Sequence, residues 1–343
     1  MTRITFFIGN GFDINVGLPT RYSQFYEYYK AQYPKDMIAN EIDTNYQYWA
    51  DMEVGLGNYT KQIDEVNEVV FWQSEELLEQ ALADYLEIQT KNVSFESEET
   101  ATILKDSLMK FYEELPKAQR QDISNKITNI RDSITYSFIS FNYTNTLDLC
   151  IDAGKEVFPK TIGTHKADNG IDYSHFIGNV LHLHGTINEE LILGVNDTSQ
   201  IANEGFRNKQ LYRQLLVKEE ANKRFGQNKT QDARQIIDGS EIICVFGASI
   251  GITDKMWWTY IGKWLQRSGN HRLIIFMKND KPQLRITKHA LFGEEDRVLQ
   301  KFKDNSELSD EEWDGVRDKI YIKFDSHIFG FEIKMRNDNL QTG

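Results

Sequence analysis

Six short apolar runs punctuate the chain: RITFFI (3–8), YSFISF (136–141), VLHLH (180–184), EIICVFG (241–247), RLIIFM (272–277) and KIYIKF (319–324). Long polar or helix-patterned stretches separate them, not two-residue hairpin turns. Runs of this length, rich in Ile, Val and Phe, read as strands buried on both faces. Long crossovers between such strands are what parallel pairing requires. The pattern predicts an α/β protein with a doubly wound, mostly parallel sheet of about six strands.

Between the first two runs, residues 20–132 carry no convincing strand. Tyr22, Phe25, Tyr26 and Tyr29 recur at the spacing of one helix face, and SEELLEQALADYLEIQ and ETATILKDSLMKFYEEL repeat the pattern. The segment reads as a large helical insertion after the first strand, a subdomain leaning over the sheet edge. Its aromatic stripe suits core packing better than a ligand wall, because helices normally bury one apolar face. The core is then residues 1–19 and 133–343. Within it, residues 203–235 are dense in charge, which suits a solvated helix with a mobile end or, on a functional reading, a charged helical lid over a pocket.

Composition narrows the class. A chain of 343 residues with 40% hydrophobic, 27% charged and 12% aromatic residues is long for one core and too apolar for extended disorder. A formal net charge of −13 argues against non-specific binding to nucleic acid or an anionic membrane. Two cysteines, Cys150 and Cys244, cannot build a disulfide framework or a four-cysteine zinc site. The apolar stretch from Ile4 to Ile8 is too short for a signal-peptide core, and IICVFGASIGI is about half a membrane span. A cytoplasmic location is expected.

In a doubly wound sheet, ligands bind beyond the carboxyl ends of the strands. The residues that follow each strand are therefore the candidates. Gly9-Asn10-Gly11-Phe12-Asp13 and Gly17-Leu18-Pro19 follow the first, and Phe141-Asn142-Tyr143-Thr144-Asn145 the second. His182-Leu183-His184-Gly185 ends the third, with Gly194-Val195-Asn196-Asp197 beyond, and Gly247-Ala248-Ser249-Ile250-Gly251-Ile252-Thr253-Asp254 follows the fourth. A glycine-rich crossover lets backbone N–H groups face a phosphate. Ile14, however, stands where the dinucleotide fingerprint has its third glycine. A carboxylate at Asp13 would repel a pyrophosphate; a ribose hydroxyl or a helix cap suits it better.

His184 is the best catalytic candidate, since imidazole takes a proton near neutral pH and Gly185 beside it leaves room for substrate. His182 lies two residues earlier and would share a face with it, which permits a metal pair, but no Cys or carboxylate nearby completes a ligand set. Asn142 could bond a ligand hydroxyl, position a water, or serve as a turn or N-cap residue. Asp254 stands where the helix KMWWTYIGKWLQ begins, and capping is the favoured role; Trp257, Trp258 and Trp264 are expected in the core.

Four loops in this order resemble known motifs. Gly9-x-Gly11 followed by Gly17-Leu18-Pro19 resembles the opening motif of sirtuin-like proteins, Asn142 in SFNYTNTLD the asparagine of their second motif, and His184-Gly185 their histidine-glycine. VFGASIGITD is similar to their later nucleotide-contacting loop. IGNGFD…GLPT, FNYT, HLHG and FG.S….D resemble still more closely the AbiH family of bacterial abortive-infection (phage defence) proteins, over about half the chain.

The resemblance implies a Rossmann-like, sirtuin-like core with a nicotinamide dinucleotide site and, in a defence setting, hydrolysis of NAD at the nicotinamide–ribose bond. On that reading Asn142 positions ribose and water and His184 is the general base. Gly9, Asn10 and Gly11 meet the diphosphate or the adjacent ribose, and Asp13, Gly17, Gly185, Gly247, Ser249 and Asp254 complete the nucleotide site. NAD is then a substrate, and no zinc is expected, since the sirtuin zinc module needs four cysteines. A nucleotide is the implied small-molecule partner, with a phage-derived trigger or self-association alongside it, and no membrane. The alternatives are a non-catalytic NAD or ADP-ribose module and a metal-dependent phosphodiesterase or nuclease built on His182 and His184.

Overall fold

The computed structural model describes residues 1–279 and 287–335. Each of the six apolar runs forms a strand, and three more strands join them. In chain order these are β1 (Thr2–Ile8), β2 (Val93–Ser94), β3 (Ile134–Ser140), β4 (Gly163–Lys166), β5 (Asp172–His182), β6 (Ser240–Phe246), β7 (Arg272–Met277), β8 (Ile320–Phe324) and β9 (Lys334–Met335). β2 and β9 pair with each other, and the other seven make one sheet in the order β4-β5-β3-β1-β6-β7-β8. All its neighbours are parallel except β4 with β5.

The sheet thus has seven strands where the hydrophobic pattern predicts about six. The extra one, β4, is an edge strand of alternating half-buried and exposed positions, so no apolar run announces it. For the same reason β5 extends well upstream of VLHLH: along its length only His175 is fully buried. That ring is held by the Tyr136 hydroxyl at 2.8 Å and by His165 at 2.9 Å.

Counted in chain order, the six parallel strands lie 3-2-1-4-5-6, with the order reversing between β1 and β6. Alternation along β1 sends Ile4, Phe6 and Ile8 to one face and Phe7 to the other. The first face is covered by Leu104 and Leu108 of the helix Ser97–Met109, Ile123 and Ile127 of Lys117–Asn129, and Leu147 and Cys150 of Thr146–Val157. The second is covered by Ile237 of the helix Lys229–Asp238, the three tryptophans of Lys255–Arg267, and Val298 and Phe302 of Lys288–Ser306. Trp257, Trp258 and Trp264 are core residues, as expected.

Residues 20–132 contribute to two clusters. The helices Ser97–Met109 and Lys117–Asn129 belong to the sheet face just described, whereas Tyr22–Gln32 and Glu68–Thr90 build a separate aromatic cluster with Tyr143, Leu193, Val195, Phe206, Leu216 and Val217. The charge-dense stretch is not one solvated helix. It forms four short helices, Glu204–Asn208, Gln210–Leu216, Lys218–Arg224 and Lys229–Asp238, each with a buried side. Among the described residues no helix is long and apolar enough to cross a membrane.

Candidate functional site at the carboxyl edge of the sheet

The loops after β1 and β6 meet where the strand order reverses, and their glycines answer to each other. The Gly9 N–H donates to the Phe246 carbonyl at 3.0 Å and the Gly11 N–H to the Gly247 carbonyl at 2.8 Å. A Cβ at Gly11 would lie 2.5 Å from the Gly247 Cα, and one at Gly9 would lie 2.6 Å from the Ala248 Cα. Close approach of two backbones therefore demands these glycines. The Gly9 and Gly11 N–H groups are thus spent on carbonyls within the fold, and packing accounts for both glycines. Asn10 has a holding role as well: its amide donates to the Thr20 carbonyl at 2.8 Å and accepts from the Thr20 hydroxyl at 2.6 Å, tying GLPT to the crossover. Gly17 turns that connection with φ +94°, and Ser249 is exposed at the rim.

The loops after β3 and β5 are built differently. Ser140 and His182 are the last paired residues, and Asn142 and His184 each stand two positions beyond. Along FNYT the side chains alternate. The rings of Phe141 and Tyr143 lie 5.7 and 6.0 Å from the His184 ring, while Thr144 turns to Asp13, its hydroxyl donating to Asp13 Oδ2 at 2.7 Å. Asp13 and Asn142 are almost completely buried, yet Asp13 Oδ1, Asn142 Oδ1 and the Thr146 hydroxyl have no hydrogen-bond partner. Burial raises the Asp13 carboxyl to about 6, against the easing effect of Thr144, Thr146 and Asn142. Neither residue caps a helix: the caps are Asn10 and Asn145, and neither makes a side-chain cap bond.

His184 is buried, with Nε2 3.5 Å from Asp254 Oδ1. The Lys218 ammonium lies 3.8 Å from the same oxygen and 2.6 Å from Glu53 Oε2, and the Tyr143 hydroxyl donates to Glu53 Oε1 at 2.8 Å. Three parts of the chain converge here. Glu53 comes from the helix Met52–Tyr59, whose first turn Asp51 caps. Lys218 is positioned by a parallel bridge of Val217 to Val195, with Lys218 N donating to the Val195 carbonyl at 3.1 Å. Asp254 precedes Lys255–Arg267 without making a side-chain cap bond, so the favoured capping role gives way to an ion pair.

Burial pushes His184 well below the usual histidine range, and the Lys218 cation reinforces this, so the ring is neutral at neutral pH. Burial also raises Glu53 and Asp254 against the pull of Lys218. It works to lower Lys218, but the two carboxylates outweigh it and hold the ammonium charged.

His184, Lys218, Asp254, Asn222, Thr253 and Trp257 line a cavity of about 20 Å³, room for about one water. Gly185 (φ +72°) does not widen it: a Cβ there would lie 1.6 Å from the Glu190 carbonyl oxygen, so protein backbone fills the space expected for substrate. His182 goes elsewhere, its Nε2 lying 2.8 Å from Asp148 Oδ2. The two histidines take different partners, and among the described residues no three His, Cys, Asp or Glu side chains are placed to hold a metal.

Sequence reasoning missed Glu53 and Lys218, and it gave Tyr143, inside a candidate loop, no role of its own. The available signals were an acid at the start of the apolar stretch MEVGLG, a lysine directly after Leu215-Leu216-Val217, and a tyrosine inside FNYT.

Residues 5–276 match the family described as bacteriophage abortive infection AbiH. Among curated proteins none matches the chain.

Proposed function

The chain thus belongs to the AbiH family of bacteriophage abortive-infection proteins, and from that premise we propose that its carboxyl-edge site binds NAD and hydrolyses the nicotinamide–ribose bond. One observation carries this reading. Asn142, with a buried unpartnered carbonyl, and His184, held neutral, stand two residues beyond the same strand pair in a sheet ordered 3-2-1-4-5-6. In open sheets of that order the ligand crevice lies outside the carboxyl ends of the strands. Both residues lie in loops that resemble sirtuin motifs, which supports this reading.

Nicotinamide leaves as a neutral molecule, so the protein needs no general acid. It must orient the ribose, tolerate an oxocarbenium-like transition state and activate water. The Asn142 carbonyl accepts a hydrogen bond from a ribose hydroxyl or from the attacking water. His184 takes the proton as the water oxygen bonds to the ribose carbon, and Asp254 stabilises the imidazolium that forms. Lys218 offers a cation to the substrate's phosphates. A dinucleotide is far larger than about 20 Å³, so binding requires the elements around this cavity to open.

Calorimetry with NAD and with ADP-ribose, run beside a chromatographic assay for nicotinamide, tests the reading. Release of nicotinamide by the purified protein supports it. Binding without release leaves a nucleotide-binding module, and no binding of either compound refutes the site.

A further inference from the structure

Asp13 is an almost completely buried carboxyl at this edge, and the hydrolysis above gives it no role. Its Oδ2 is held by Thr144, while its Oδ1 has no partner. Facing it, the Asn142 and Thr146 side chains come close enough to ease the carboxylate's charge without completing a hydrogen bond. Asn142 Oδ1 is bare as well. A carboxylate only accepts, whereas an amide has one donating and one accepting end. The charge on Asp13 therefore decides which end of the Asn142 amide can face it.

We infer that Asp13 is the positioning residue of Asn142: as a carboxylate it draws the amide NH2 toward itself and turns the carbonyl Oδ1 to the bound substrate. Once Asp13 gains a proton, its own O–H donates to that carbonyl, the amide turns over, and the group offered to the substrate becomes an N–H. A ribose hydroxyl or a water that needs an acceptor then meets a donor. The other ionisable groups facing Asp13 are His182, whose ring Asp148 holds, and the Cys150 thiol, which burial pushes up and keeps uncharged. The arrangement also explains a carboxylate in a loop where a pyrophosphate would be repelled: Asp13 acts on Asn142 and not on the ligand.

The identity of the substrate rests on the function proposed above, so the test has two arms. In the first, the side-chain ¹⁵N–¹H signals of Asn142, assigned with Asn142→Asp, are followed across pH in the full chain without ligand. They are expected to shift with a midpoint near 6 and to stay fixed in Asp13→Asn. In the second, Asp13→Asn is expected to lower kcat for nicotinamide release by roughly tenfold or more while KM stays within about threefold. The parent's rise in kcat with pH through about 6 disappears in the variant. A parent that releases no nicotinamide sinks the proposed activity, and the first arm still decides the positioning role. Asn142 signals that ignore pH, or an Asp13→Asn enzyme with the parent's rate and pH profile, overturn that role. If Asp13→Asn does not fold, the parent's titration alone decides.

Discussion

Two pairs of loops meet at the carboxyl edge of the sheet, and they are satisfied in opposite ways. The β1 and β6 loops close on each other: glycine backbones touch, both glycine amides have carbonyl partners, and Asn10 fastens Thr20. Around the β3 and β5 loops, where Asp13 reaches over from the first loop and Asp254 from the β6 loop, lie buried polar atoms without partners, a neutral histidine, and a lysine shared between two carboxylates. The glycine-rich loop looks more like a ligand site in the sequence, yet its glycines are explained by packing. The other pair has what packing leaves unexplained, and unexplained buried polarity is where chemistry is expected.

That contrast can be broken by substitution. The largest effect is expected at Lys218. Its replacement by methionine strands Glu53 and Asp254 without their cation and should cost about 3–5 kcal/mol in denaturant unfolding, because removing one partner of a buried pair leaves uncompensated charge. An effect below about 1 kcal/mol, the size of an exposed pair, would show that the cluster is open to water.

Next comes Asp13, with the opposite sign. Its folded carboxyl is raised from 3.8 to about 6, so the native protein loses stability as pH climbs through that window while the unfolded chain ionises freely. Asp13→Asn should be more stable than the parent by about 1–3 kcal/mol at neutral pH and equal to it below about pH 4, as thermal unfolding across pH would reveal. The gain in stability goes with the loss in rate expected above. A variant destabilised at neutral pH would mean that the carboxylate is well solvated in the folded state.

Where the β1 and β6 backbones touch, Gly11→Ala forces a methyl against the Gly247 backbone and should cost about 1–3 kcal/mol, read as a lowered denaturation midpoint. Asn10→Ala is expected to have the smallest effect, about 1 kcal/mol for the lost ties to Thr20, with NAD affinity by calorimetry changed less than about threefold. A tenfold or larger loss of affinity at Asn10 with stability intact would return the first loop to the ligand.

The strands β1, β3, β6 and β7 were legible because they are buried on both faces and read as short, mainly apolar runs; β4 was not, because an edge strand of alternating half-buried and exposed positions carries no such run. Asn142 and His184 stood out as candidates from their places, one just past an apolar run and the other at the end of one. Lys218 was hidden by its neighbours: in a stretch rich in Lys, Arg and Glu, a lysine that turns inward looks like the others, and only the apolar residues before it differ. Glu53 sits in what reads as a helical insertion, and its partner is 165 residues away. The meeting of Asp13 with Thr144 spans 131 residues and depends on β1 lying beside β3, which no local pattern states.

We propose that the edge built around Asn142 and His184 cleaves NAD with water. Incubating the purified protein with NAD in ¹⁸O-water decides this. The account predicts nicotinamide and ADP-ribose in equal amounts, the ¹⁸O on the ribose carbon that bore nicotinamide, and a rate at least about a hundredfold lower for His184→Ala. Intact NAD, ¹⁸O on phosphorus, or a His184→Ala protein as fast as the parent would contradict it.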